Sequence, residues 1–235
     1  MAELVTNGTW ANQTTWEAAL LKAELDPDGI AIWLDDGGTI RYGEAVREAR
    51  KLAHALAGLG LKPGEVVSAN LPNWREMIII NLACCALGLV MNPIIPIYRD
   101  HEVSFILKDA GARILFSPGT AASFDYPAMA RRLAEAMPAL EHVVIVRPEK
   151  DADQVLSYET LLAAGRAEDF VAAHVDPSWI KLVMYTSGTT GTPKGVLHSH
   201  NTLRRSAMNS AEARGIGVGD ISLMASPVTH ITGYS

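Results

Sequence analysis

The sequence predicts an α/β fold built on a largely parallel sheet flanked by helices, and three observations carry that expectation. Short apolar runs that suit buried strands alternate, over residues 65–146, with longer stretches of helical periodicity, the pattern of parallel strands joined through helices. Apolar residues form 49% of the 235 residues and charged residues 20%, which supports a packed core rather than disorder. No fixed-period repeat runs through the units, so a stacked-repeat architecture is not expected.

Taken in order, Thr14 followed by Glu17 ahead of an apolar stretch is a capping-box start for a first helix. Turn residues at 26–29 lead into a hairpin with strands at 30–34 and 39–42, joined through Asp36-Gly37-Gly38. A helix is expected over 43–59, because Val46, Ala49, Leu52, Ala53, Leu56 and Leu59 share one face. Gly60 ends it, and Lys62-Pro63-Gly64 turns the chain. Then follow a strand at 65–70, a helix at 74–87 buried nearly all round, and a strand at 90–94. A helix at 100–110, a strand at 113–116, a helix at 126–136 and a strand at 142–146 continue the alternation. Residues 147–165 are more polar and read as a peripheral loop with a short helix. Beyond Asp176-Pro177-Ser178 come an apolar strand at 180–185 and a second short strand at 196–198, both expected in the core. A helix capped by Ser199 or Asn201 runs to about residue 214, and a glycine-rich turn leads to a strand at 221–225.

Several functional classes are set aside at this level. The formal net charge of −6 comes with no basic block, so nucleic acid is not expected as a partner. Cys84 and Cys85 are adjacent within an apolar stretch; neighbouring thiols on a helix point to different faces, so they read as small buried packing residues that suit a reducing, cytoplasmic compartment. No basic segment followed by an apolar one opens the chain, so no signal peptide is expected, and the Asn7 and Asn12 sequons then carry no meaning. The longest apolar run, 77–91, is interrupted by Asn81 and falls short of the ~18–20 residues a membrane span needs. His54 sits within a helix and receives no role. His198 and His200 could chelate a metal only with a third ligand, which is not evident, so no metal site is assigned.

The chemistry concentrates in Tyr185-Thr186-Ser187-Gly188-Thr189-Thr190-Gly191-Thr192-Pro193-Lys194-Gly195, a loop between two strands. Its glycines let the backbone approach a ligand closely, its hydroxyls donate hydrogen bonds, and Lys194 adds a mobile cation. Amides, hydroxyls and an ammonium converging on one loop suit phosphate oxygens. An ordinary turn is the alternative, and a Walker-type loop is excluded because Lys194 follows Pro193 and Gly195 stands where a hydroxyl residue should be.

The whole segment resembles the phosphate loop of the AMP-forming acyl-activating enzymes, the superfamily of acyl-CoA synthetases, peptide-synthetase adenylation domains and firefly luciferase. Tyr42-Gly43-Glu44, Leu71-Pro72-Asn73, Leu87-Gly88, Asn92-Pro93, Ile95-Pro96-Ile97-Tyr98-Arg99 and Glu102 are similar to segments that open the family's large domain, in structural roles. Ser226-Pro227-Val228-Thr229-His230-Ile231-Thr232-Gly233 resembles the acyl-CoA synthetases' segment whose histidine lines the acyl pocket.

The resemblance implies ATP-dependent activation of a carboxylic acid through an acyl-adenylate, with transfer to coenzyme A. It implies that Thr186, Ser187, Gly188, Thr189, Thr190, Gly191 and Lys194 hold the β- and γ-phosphates of ATP, and that His230 shapes entry of the carboxylate. Magnesium is implied by the nucleotide. An adenylation domain of a peptide synthetase is the alternative enzyme, and a non-catalytic nucleotide-binding relic is the alternative outside catalysis. The family's Tyr-Gly-x-Thr-Glu segment, ribose-binding Asp and lid Lys have no counterpart here. Residues 1–235 are therefore expected to be the N-terminal part of the adenylation domain, truncated before the remaining sheet strands and the C-terminal lid, and inactive alone.

Overall fold

A computed structural model of the protein describes residues 2–119, 121, 124–149, 156–186 and 193–234. After a first turn of helix, α1 (Ala2–Thr6), comes α2 (Thr15–Leu25), which starts at the expected capping box. The Thr14 side chain accepts from the Glu17 amide while the Glu17 carboxylate accepts from the Thr14 amide, so two amides that the helix itself cannot satisfy are bonded reciprocally. The hairpin β1 (Ile30–Trp33) and β2 (Thr39–Arg41) forms a separate two-stranded sheet, followed by α3 (Tyr42–Gly58).

The main sheet alternates as the sequence predicts, through β3 (Val66–Ala69), α4 (Arg75–Leu87), β4 (Val90–Pro93), α5 (Asp100–Ala110), β5 (Ala112–Pro118), α6 (Tyr126–Ala136) and β6 (His142–Val146). A short helix, α7 (Tyr158–Ala164), then leads to β7 (Ile180–Thr186), β8 (Lys194–Ser199), α8 (His200–Arg214) and α9 (Ile231–Tyr234). Six strands lie in the order β6-β5-β3-β4-β7-β8, all parallel except the antiparallel β7–β8 pair.

Period-two alternation assigns each strand residue to one of two layers. On β5, Ile114 and Phe116 join the core beneath α3, α4 and α7 and Leu115 the core beneath α5 and α6; Ala112 joins the second core out of phase, where the β3–β5 register shifts between Val66 and Val67. On β6, Val144 and Val146 face the first core and Ile145 the second. Helix α4 is buried nearly all round because the sheet lies on one side of it and α2 and α3 lie on the other; Cys84 and Cys85 are enclosed there, and burial pushes the Cys84 thiol up, which keeps it protonated.

Two expectations change. Residues 221–225 form no strand, and Ile221 and Leu223 are exposed: alternating apolar residues become a strand only where an edge pairs with them, and none of the described strands does. The strand expected at 196–198 is longer than expected and is not a core element. As the last strand in the sheet, with β7 as its neighbour, β8 leaves Val196 and Leu197 exposed. Ser199 rather than Asn201 caps α8, its hydroxyl accepting from the Thr202 amide.

Three strands meet at Asn92, which is fully buried on β4. Its side-chain carbonyl accepts from the Ser68 hydroxyl on β3 at 2.8 Å, and its amide donates to the Val183 carbonyl on β7 at 3.0 Å. Asn92→Ala leaves a buried hydroxyl and a buried carbonyl without these partners, so we expect a loss of about 2–4 kcal/mol in a urea titration; an unchanged midpoint would show that the cross-link is dispensable.

Candidate phosphate-loop site

All strands but β8 end at the same edge of the sheet, so the segments after β3 and β7 share its carboxyl end. The connection leaving β3 passes through α4 on one face, whereas that leaving the adjacent β5 passes through α6 on the other. Ligand crevices of open α/β sheets lie outside the carboxyl ends of strands, at such reversals.

Pairing of β7 with β8 holds to the last residue of β7 and the first of β8, placing Tyr185 opposite Gly195 and Thr186 opposite Lys194. Thr186 and Lys194 are both exposed at the base of the loop. The expected phosphate contacts Ser187, Gly188, Thr189, Thr190 and Gly191 lie outside the described residues. Below this base, Tyr185 is anchored to α5: its hydroxyl donates to the Asp109 carboxylate at 2.6 Å, and its ring meets Phe105 edge-on at 6.4 Å between centroids. Burial first, and the Asp109 carboxylate second, push the phenol above its ordinary range, so it remains a donor. A side chain at Gly195 would bring its first carbon to 3.3 Å from the Tyr185 ring and 3.2 Å from Val183. The glycine after the lysine therefore lets the tyrosine lie across the hairpin.

His230 is exposed and belongs to a different segment. Its Nδ1 lies 2.9 Å from the Thr232 hydroxyl and 3.3 Å from the Thr232 amide, and among the described residues it bonds to neither Thr186 nor Lys194. The sequence reading missed what holds this segment. Asn73, in the break after β3, donates to the Ser226 carbonyl at 3.1 Å and accepts from the Val228 amide at 2.8 Å. That two-bond clamp pins the histidine segment to the same edge of the sheet that carries the loop base. Gly233 is required for the compact turn, because a side chain there would collide with the carbonyl oxygens of Ser226 and Pro227. Also at this edge, Glu76 is buried against the Arg147 guanidinium, with bonds of 2.8 and 3.0 Å, and Arg147 stacks 4.3 Å from the Trp74 ring.

The family model described as "AMP-binding enzyme" matches residues 21–235. The chain belongs to the AMP-binding enzyme family. Among curated relatives of this family member, the medium-chain fatty-acid–CoA ligase of Escherichia coli (strain K12) is 27% identical over 228 residues, covering 97% of this chain and 40% of that protein. The 2-hydroxy-7-methoxy-5-methyl-1-naphthoate–CoA ligase of Streptomyces carzinostaticus is 30% identical over 232 residues, covering 95% of this chain and 41% of that protein. Triostin synthetase I of Streptomyces triostinicus is 28% identical over 223 residues, 95% of this chain and 40% of its own. Among solved structures, apo MbtA of Mycobacterium smegmatis superposes with a TM-score of 0.82 at 27% identity, covering 99% of this chain and 44% of that one. The chain spans about 40% of the length of these curated relatives.

His198 and His200 lie at the junction of β8 and α8. Among the described residues no group of three or more His, Cys, Asp or Glu is arranged to hold a metal. His200 is buried, and its Nδ1 accepts the Thr15 amide at 3.0 Å, which assigns the imidazole a structural bond between α8 and α2. Burial, with the Lys181 charge as second cause, pushes its pKa down to about 3. The unfolded chain, with a histidine near 6.5, then binds the extra proton between these values, so stability falls as pH drops from about 6.5 toward 3. We expect His200→Gln to flatten that fall by up to about 1.4 kcal/mol per pH unit, read from urea midpoints measured from pH 7 to pH 4. Parallel curves for the two proteins would show that His200 does not titrate in this way.

Proposed function

We propose that the protein activates a carboxylic acid with ATP through an acyl-adenylate and passes the acyl group to coenzyme A. The observation that carries this reading is the register of the β7–β8 hairpin, which sets the Thr186 hydroxyl side and the Lys194 ammonium side by side at the base of a hydroxyl-rich loop in an AMP-binding family member. In this reading Thr186, Ser187, Thr189, Thr190 and the amides of Gly188 and Gly191 bind the β- and γ-phosphates, and Lys194 offsets their charge. Displacement at the α-phosphorus depends mainly on positioning and charge neutralisation, so a fixed loop base matters more than a protein nucleophile. Two exposed groups directly opposite each other on a ladder fit an extended polyanion arriving from solvent. Magnesium enters with the nucleotide and neutralises phosphate charge. His230, held at the same edge through the Asn73 clamp, orients the incoming carboxylate.

Coenzyme A as the acceptor draws support from relatives named as CoA ligases. Similarity to triostin synthetase I and to the phosphinothricin tripeptide synthetase PhsB favours a second reading, an adenylation step serving a peptide synthetase. Pyrophosphate release over a panel of acids, followed by product analysis with coenzyme A added, separates the two: thioester formation with coenzyme A supports the first, and an acyl-adenylate that coenzyme A does not discharge supports the second. In the whole protein, Lys194→Ala should lower kcat/KM for ATP about 10- to 100-fold, the loss of a charge-assisted bond, and leave the KM for the acid nearly unchanged. Equal losses for both substrates would remove Lys194 from the phosphate site.

A further inference from the structure

At the opposite end of β7 from the loop, a cleft of about 210 Å³ lies between α2, α4, α8 and α9. Lys181 and Arg204 both line it, together with Gln13, Asn81 and Tyr234, and no Asp or Glu does. Lys181 is 4% exposed. Its ammonium donates to the Thr15 hydroxyl at 3.4 Å and lies 5.1 Å from the centre of the Tyr234 ring. The Arg204 Nε is buried without a hydrogen-bond partner among the described residues. Neither cation makes an ion pair with a described carboxylate.

The energetics of this arrangement are unusual. Taking an ammonium out of water is costly unless an opposite charge and good hydrogen bonds accompany it. One long hydroxyl bond and one ring face offset only a part of that cost. Placing a guanidinium on the same cleft adds repulsion. The remaining groups point the same way. The Asn81 carbonyl is occupied by the Tyr234 hydroxyl, which leaves the Asn81 amide as a donor, and Gln13 also lines the cleft. His200 is committed as an acceptor to Thr15 and supplies no negative charge.

We propose that this cleft is a binding site for a small oxyanion, phosphate or a short carboxylate, with Lys181 as its buried cation and Arg204 as a two-pronged partner. The volume suits one such ion with a few waters, at about 30 Å³ for each water. Five residues of strand separate Lys181 from Thr186, roughly 17 Å at 3.3 Å per residue, so the site is distinct from the phosphate loop and does not depend on the loop's function. An anion here would also bear on His230, because Tyr234 closes the cleft and its amide donates to the His230 carbonyl one helical turn away.

The test is thermal unfolding of the protein in sodium phosphate against chloride of equal ionic strength, with ³¹P line width as a direct measure of binding. We expect phosphate near saturation to raise Tm by about 5 °C. The rise and the line broadening should survive Lys194→Ala and fall by at least half in both Lys181→Met and Arg204→Gln. Should Lys181→Met fail to fold, the half-buried Arg204 decides through its own variant. An acetate series reports which anion gives the larger shift, and dependence on Lys181 and Arg204 with either anion supports the site. A rise of equal size in wild type and both variants would be general salt stabilisation and would overturn the proposal, as would an effect abolished by Lys194→Ala alone.

Discussion

The junction between β4 and β7 constrains everything that follows it. The ladder there is registered at Met91 opposite Leu182, and the Asn92 amide extends the connection to Val183 while its carbonyl holds Ser68. Through that one side chain, the strand carrying the phosphate-loop motif is indexed to two strands of the parallel sheet. Being fully buried, the amide makes any slipped register costly, since it would strand several polar groups at once. A loop can present its donors reproducibly only if its two ends are fixed, and the β7 end is fixed here.

The second end is fixed by different means. Strand β8 is exposed along most of its length and cannot rely on burial for its position. Its hold on β7 comes from the antiparallel ladder and from Tyr185, whose ring lies over Gly195 and whose hydroxyl reaches Asp109 on α5. The segment from Tyr185 to Gly195 thus begins with a tyrosine and ends with a glycine that work together beneath the loop rather than in it.

Local chemistry was the legible part. The capping box at Thr14, the one-sided apolar face at Val46, Leu52 and Leu56, and the strand-helix alternation each depend on residues close in sequence, and the structure has them as expected. Pairing was less legible. Residues 221–225 carry the apolar pattern of a strand, yet a strand exists only with a neighbour, and that information lies elsewhere in the chain. The exposure of Val196 and Leu197 is likewise a property of sheet order. At the candidate site, Lys194 and Thr186 could be named from the motif, but Asn73 could not be assigned its clamp, because its partners Ser226 and Val228 are remote in sequence. Lys181 was hidden for a related reason: within an apolar run it looks like a lysine at a strand edge, and only the packing of α2, α8 and α9 encloses it.

The two ends of β7 thus pose opposite electrostatic problems to one strand. At Thr186 the neighbouring lysine is exposed, so water solvates its charge and a polyanion must compete with that solvation. At Lys181 the charge is already withdrawn from water, and an arriving anion would recover energy spent in folding rather than displace good solvation. In the proposals above, a small ion at the buried end would need few contacts, whereas a polyanion at the exposed end would need many donors acting together. Helix α9 adjoins both regions, with Tyr234 against the buried cation and its first turn hydrogen-bonded to the His230 carbonyl. Helix α9 thus links the Lys181 cleft to the segment that carries His230 through contacts already present in the fold.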